Sequence, residues 1–254
     1  MKNILITGVT GTIGKKLLEK LSGSKSKYNI VGIDINEEEL FYLESKYLAN
    51  NNVSFKFCDV KDFDNLVNIC SKIDLIYHTA ALKHVIFSEE LPSAAVQTNI
   101  LGVQNIIKAA HENNVNKVIF TSSDKAVNPT SVMGTSKLMG EKLITSSNFI
   151  NKNKKTKFAS VRFGNVLGSS GSFIPLFYNQ IKNNRKITIT DKKMTRYVMT
   201  INDAVDLMIK CTNDTRGGEV FVFKMSAVKV LDVAEAMIEL FGKDKKIKKE
   251  FIGS

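Results

Sequence analysis

Short apolar runs recur along the first two-thirds of the chain, at residues 4–6, 30–33, 53–57, 75–78, 117–121 and 157–161. Stretches with helical spacing separate them, beginning with KKLLEKL at 15–21. Runs this short and this apolar read as buried strands, and their alternation with helices predicts a parallel sheet joined by right-handed crossovers. The predicted fold class is α/β, a Rossmann-type doubly wound parallel sheet with a small C-terminal lobe. A chain of 254 residues is long enough for one such domain and a modest appendage.

The turn after the first run reads TGVTGTIG and leads directly into a helix. Gly8, Gly11 and Gly14 stand at the spacing of a strand-to-helix phosphate loop. In such a loop Gly8 tightens the turn, Gly11 lets backbone approach a pyrophosphate at the positive helix end, and Gly14 lets helix and sheet pack closely. Thr10, Thr12 and Ile13 complete the predicted cofactor cradle. An ordinary glycine-rich turn is the alternative, but the position after one strand and before a helix favours the dinucleotide reading. The second run ends in Asp34, about twenty residues on, where a carboxylate accepts the adenosine ribose hydroxyls. That charge would repel a 2′-phosphate and favour NAD over NADP, although Lys15, Lys16 and Asn36 are near enough in sequence to accommodate one and Asp34 also suits a plain turn. After the third run, Asp59 and Val60 fall where the adenine edge would lie; equally, Asp59 could cap a helix over residues 61–70. Residues 1–165 are therefore read as an NAD(P)-binding domain to which later segments return, and 166–254 as mainly a substrate-binding lobe.

Charge and cysteine content narrow the class. The formal net charge is +11, but the lysines are scattered and densest at 243–249, without the aromatic–basic interleaving of an RNA reader, so no nucleic-acid partner is expected. A positive field of this size suits attraction of an anionic nucleotide-sugar. No run approaches the roughly twenty apolar residues of a membrane span, and no signal peptide precedes the first strand, so a cytoplasmic location is expected. Cys58, Cys70 and Cys211 have no metal-ligand spacing; three inert thiols, and no metal, are the expectation.

The fourth run opens into HTAALKHVIFSEELPSAAVQTN at 78–99. Ala80 and Ala81 are small where backbone must lie against a cofactor at the sheet's switch point. Lys83 is a candidate for touching cofactor or substrate, His84 a weaker one, and a surface loop is the alternative for both. Asn99 opens or lies within a long helix running to about His111; it is assigned a structural hydrogen-bonding role and counted among the cofactor-site residues. The fifth run ends in Ser123, Asp124 and Lys125, and Lys137 follows Met133 by four residues, on one face of a helix.

Taken together, TGVTGTIG, AALKHV, SSDKAVNP, RFGNVLGSSGS and TDKKMTRY resemble, in order and spacing, the extended short-chain dehydrogenase/reductases that act as UDP-N-acetylglucosamine 4,6-dehydratases in bacterial surface-glycan and flagellin-glycan synthesis. The likeness runs the length of the chain. It implies a tightly bound NAD or NADP recycled in each turnover, a UDP-sugar substrate and a homo-oligomer. It implies oxidation at sugar C4, loss of water across C5–C6 and hydride return to C6, with inversion at C5. In that scheme Lys125 takes the C5 proton, Asp124 protonates the departing 6-hydroxyl, Ser123 hydrogen-bonds the 4-hydroxyl and Lys137 reaches the nicotinamide ribose. Met133 stands where short-chain dehydrogenases place a tyrosine, and a thioether has no proton to exchange, so Asp124 is expected to take the 4-hydroxyl proton as well.

By the same resemblance, Asn165 and Arg196 contact the diphosphate, Thr190 and Met194 flank the uridine, and Ser172, in the small-residue loop 169–172, closes on the sugar. Similar enzymes continue past the equivalent of Phe251-Ile252-Gly253 into an Arg-Pro-Gly-Glu-Lys segment that helps hold the nucleotide, and the lobe reads as truncated there. A nucleotide-sugar epimerase, a retaining dehydratase and a non-catalytic NAD(P)-binding protein are the competing readings.

Overall fold

The computed structural model describes residues 1–23, 27–150, 155–242 and 245–253; Lys243 and Asp244 of the basic stretch lie outside them. Along the chain the elements are β1 (Lys2–Thr7), α1 (Thr12–Leu21), β2 (Tyr28–Asp34), α2 (Glu37–Lys46), β3 (Val53–Phe57), α3 (Phe63–Cys70), β4 (Leu75–His78), α4 (Val85–Glu90) and α5 (Pro92–Ala95). A π-helical turn (Val96–Leu101), α6 (Gly102–Glu112), β5 (Lys117–Ser123), a 3₁₀ turn (Asp124–Ala126), α7 (Val132–Ile150) and β6 (Lys157–Phe163) follow. The remainder is β7 (Asn165–Val166), α8 (Phe173–Lys182), β8 (Ile187–Ile189), β9 (Thr195–Met199), α9 (Ile201–Asp214), β10 (Val220–Val222), β11 (Ser226–Lys229), α10 (Val230–Phe241) and β12 (Lys249–Phe251).

Two compact units divide these elements: Met1–Phe163 with Val205–Phe223, and Gly164–Ala204 with Lys224–Ser254. The first is built on a parallel seven-stranded sheet in the order β10-β6-β5-β4-β1-β2-β3. From β1 the chain works outward through β2 and β3, then returns to β4 on the other side of β1. The switch point therefore falls between β1 and β4, where Thr7 pairs with His78.

Helix α1 buries Gly14, Leu17, Leu18 and Leu21, a spacing of three, one and three that puts one apolar stripe on the sheet. Against the other face, Val103 and Ile106 of α6 pack with Ile76, Val118, Phe120 and Phe158. Full burial of such side chains contributes about 1.5–3 kcal/mol each. Helix α2 starts at Asn36, whose side chain accepts from the Glu39 amide, and three glutamates in its first turn complement the helix dipole. Helix α3 differs from the expected 61–70 span: Asp62 caps it, accepting from the Asn65 amide, so it begins at Phe63. Asp59 instead accepts from the Lys61 amide at 2.9 Å and pairs with the Lys61 ammonium at 3.0 Å. All three cysteines are free and buried, and burial pushes the Cys58 thiol up to about 11 and those of Cys70 and Cys211 to about 12.

The second unit has its own core, in which Phe177 and Ile181 of α8 meet Ile187 and Ile189 of β8 and Val230, Ala234 and Met237 of α10. Strand β9 lies between β7, parallel, and β11, antiparallel, while β8 pairs with β12.

Candidate active site

The glycine loop is shaped by what lies against it. Gly8 has a positive φ of 67°, and a Cβ there would come within 2.6 Å of the Ala80 nitrogen. A Cβ on Gly14 would lie 2.3 Å from the Gly8 carbonyl oxygen. Both positions admit only glycine, because the turn, the start of α1 and the backbone beyond β4 converge there. Gly11 caps α1 without a side chain, and the first turn carries no acid, so the positive helix end is left uncancelled by either. The Thr7 hydroxyl bonds His78 Nδ1 at 2.7 Å and accepts from the Ala80 amide at 3.3 Å, tying loop to switch point.

Asp34 sits at the end of β2 and fastens the loop as well. One carboxylate oxygen accepts from the Thr10 amide at 3.0 Å, and the other from the amides of Ile35 and Asn36 at 2.8 and 3.2 Å. A carboxylate has about four acceptor sites, so one remains for a ribose hydroxyl. The groups that were expected to tolerate a 2′-phosphate are occupied: Lys15 pairs with Glu39, Lys16 with Glu19, and Asn36 caps α2. Val60 is buried; its side chain faces Gly102 and its carbonyl accepts from Asn105.

Asn99 ties the loop after β4 to α7 through its side-chain amide. It is buried within the π-helical turn, a distortion that frequently marks functional sites. Its oxygen accepts from the Leu82 amide at 2.8 Å; its nitrogen donates to the Leu82 carbonyl and to Ser136 Oγ, both at 2.9 Å. The amide is thus spent on holding the loop that bears Ala81 and Lys83 against α7. Burial lowers the proton affinity of Lys83. His84 closes the loop as the N-cap of α4, without a side-chain cap bond, and meets the Phe87 ring edge-on.

At the end of β5, Ser123 Oγ donates to Asp124 Oδ1 at 2.9 Å and accepts from the Lys125 amide at 3.2 Å. The Lys125 ammonium pairs with the same Asp124 oxygen at 3.0 Å. Helix α7 abuts this turn: a Cβ on Gly134 would lie 2.3 Å from the Lys125 carbonyl oxygen. Met133 is buried in the first turn of α7. One turn further, Lys137 is 6% exposed, donates to the Thr121 carbonyl at 2.9 Å and lies 4.8 Å from the Phe120 ring centre. Burial pulls its ammonium down to about 8, against the opposing pull of Glu141.

The residues missed from the sequence are those that support the site from behind: Thr7, Gly134, Ser136, Glu141 and Arg162. Glu141 follows Lys137 at helical spacing, which is the one signal that pointed to it.

Of the residues assigned to substrate, Asn165, Ser172, Thr190, Met194 and Arg196 belong to the second unit. Asn165 Oδ1 and Ser172 Oγ are buried without a hydrogen-bond partner, a state that polar atoms rarely keep unless a ligand or water completes them. Thr190 accepts from the Gly253 amide at 3.1 Å, Arg196 Nη1 donates to the Thr195 carbonyl at 2.9 Å, and Met194 packs on the unit's own core.

The doubly wound sheet, the glycine loop under α1 and the Ser123–Asp124–Lys125 strand end define an extended short-chain dehydrogenase/reductase of the class that modifies nucleotide sugars. Within that class the chain belongs to the family described as polysaccharide biosynthesis protein, which matches residues 4–254. It is 44% identical, over 94% of its length and 71% of the relative's, to an uncharacterized membrane protein of Methanocaldococcus jannaschii. It is 39% identical to a UDP-glucose 4-epimerase of Rickettsia bellii, covering 100% of this chain and 74% of that one. The X-ray structure of Pen from Bacillus thuringiensis superposes with a TM-score of 0.96 at 45% identity, over 100% of this chain and 80% of that chain. Among the described residues no helix is long and apolar enough to cross a membrane.

Proposed function

We propose that the chain is a UDP-N-acetylglucosamine 4,6-dehydratase that inverts C5 and works with a bound, recycled NAD. The observation that carries this reading is the Asp124–Lys125 ion pair at the tip of β5. Elimination needs a neutral amine to take the C5 proton and a protonated carboxyl to release the 6-hydroxyl. Side by side at 3.0 Å, the two groups divide these tasks: neutral Lys125 takes the C5 proton and later returns it to C5, and Asp124 gives the 6-hydroxyl the proton it has taken from the 4-hydroxyl. A 4-epimerase has no use for such a pair, since it breaks no bond at C5 or C6.

The cradle fits a dinucleotide: a pyrophosphate matches the glycine turn and helix end, and Asp34 keeps one acceptor for a ribose hydroxyl. NAD held there would supply the hydride acceptor for oxidation at C4 and the donor for the return to C6. Before elimination, ionised Asp124 receives the 4-hydroxyl proton, because Met133 offers no base and Ser123 Oγ, bonded to Asp124, orients the hydroxyl. Lys137 fixes the ribose. Asn165, Ser172 and Arg196 hold the diphosphate and sugar, consistent with the partnerless polar atoms of the first two.

Sugar 4-epimerisation is the second reading, favoured by the Rickettsia bellii relative. Incubation with UDP-N-acetylglucosamine in deuterated water, followed by NMR, separates them. Deuterium at C5 with a new C6 methyl group is the expected result. A swap of configuration at C4 without a methyl group establishes the epimerase, and unchanged sugar leaves a dinucleotide-binding protein. In single turnover, Asp124→Asn is expected to lose C4 oxidation as well as elimination; retained oxidation, seen as cofactor absorbance, removes Asp124 from the first step.

A further inference from the structure

Lys137 is a buried cation that, among the described residues, makes no ion pair. Its ammonium meets a neutral carbonyl, Thr121 at 2.9 Å, and the Phe120 ring. The carboxylate placed to pair with it is Glu141, one helical turn on and 3% exposed. Both Glu141 oxygens are taken by a neighbouring strand: Arg162 of β6 donates Nε at 2.8 Å and Nη2 at 2.7 Å. This fork-to-fork geometry is the strongest an arginine offers and fixes the carboxylate in direction as well as charge.

Among the described residues, the other groups brought up to α7 supply no rival counter-charge. From β4 comes His78, whose own proton affinity is lowered by burial and then by Lys137. The 3₁₀ turn brings Asp124 already paired with Lys125, the π-helical turn brings the neutral amide of Asn99, and Glu89 of α4 is bonded to the Val132 amide at 2.7 Å.

We propose that Arg162 is a positioning residue for proton exchange at Lys137: by engaging both oxygens of Glu141 it prevents that carboxylate from pairing with the lysine and leaves the amine able to gain and lose a proton within the active site. This rests on the dinucleotide-site reading above, in which Met133 cannot exchange a proton and Lys137 lies beside the nicotinamide ribose. Only an N–H bond is made or broken, with the proton returning to solvent or to a neighbouring acid–base group.

The test is direct titration of the Lys137 amine in the full chain by NMR of labelled lysine side chains, the resonance being assigned by its loss in Lys137→Met. Arg162→Met strips the partner from Glu141 and is expected to raise the Lys137 midpoint by about one pH unit, a tenfold gain in proton affinity. Glu141→Gln leaves Arg162 as a bare cation nearby and is expected to lower the midpoint. Together, the two substitutions are expected to return it toward the parent value. Opposite signs with mutual cancellation are not produced by a clamp whose role is structural alone. Unchanged midpoints, or shifts of the same sign in both single variants, overturn the proposal. Should Arg162→Met fail to fold, Arg162→Lys keeps the charge, loses the fork and is expected to show a smaller rise; no rise there is also decisive. The titration needs neither cofactor nor substrate, so its outcome is separate from that of the product assay.

Discussion

Gly134→Ala tests whether the Asp124–Lys125 pair depends on how closely α7 approaches its backbone. The new methyl group would sit 2.3 Å from the Lys125 carbonyl oxygen, and real Cβ atoms essentially never come within 3.0 Å of a neighbour. Relief to between 3.0 and 3.4 Å requires helix and turn to part by 0.7 to 1.1 Å. A displacement of about 1 Å at a reacting group costs on the order of 10²-fold in rate. Turnover is followed by growth of the C6 methyl resonance, and cofactor occupancy by NAD released on denaturation. The expected result is a kcat lowered about a hundredfold with NAD retained. Gly242→Ala is the control: its Cβ would meet the Ile238 carbonyl oxygen at 2.7 Å at the end of α10, in the second unit, so stability falls while kcat holds. Equal loss of activity in both variants, or full activity in Gly134→Ala, refutes the reasoning.

Three further outcomes are expected. Asn99→Ala leaves both backbone groups of Leu82 and the Ser136 hydroxyl short of partners and is expected to lower unfolding free energy by about 2–4 kcal/mol in urea titrations at constant slope. His78 is held neutral by burial, with its proton affinity lowered to about 3. Unfolded chains bind a proton near pH 6.5 that the folded chain refuses, so this site's stabilisation is full above pH 6.5 and is lost as pH falls toward 3. The slope is about 1.4 kcal/mol per pH unit, and it should flatten in His78→Gln when stability is measured from pH 7 to 4. Asp34→Ser removes the carboxylate while keeping an acceptor for the Thr10 amide; it is expected to weaken NAD binding and narrow the NAD-to-NADP affinity ratio about tenfold by calorimetry.

How much could be read in advance followed from how local each signal is. Six of the sheet's seven strands, β1 to β6, and their parallel sense were legible, because runs such as Leu75–His78 are buried on every residue and the glycine turn announces the first crossover. Helix ends were less legible: Asp59 and Asp62 are both capping types, and only backbone geometry shows that Asp62 caps. The π-helical turn at Val96–Leu101 has no separate signature, since its extra residue hides within an ordinary helical pattern. At the site, Ser123, Asp124 and Lys125 were visible as neighbours, whereas Arg162 and Glu141 meet across a helix-to-strand crossover and could not be paired from spacing. In the second unit, Asn165 and Arg196 stood out through likeness to a family alone, as neither lies in a periodic pattern that physics could interpret.

Strand β10 is the last member of the main sheet to be made, and it pairs only with β6, which the chain left behind at Phe163. During synthesis the outer edge of β6 must therefore stay bare while the whole of β7, α8, β8, β9 and α9 emerges. An open parallel edge is a template for aggregation, and closing so long a loop delays its protection without costing much free energy at equilibrium. The second unit cannot close ahead of that strand either, since its core takes Val230, Ala234 and Met237 from α10, so a chain halted before Val220 would carry a bare sheet edge and a lobe without its last helix.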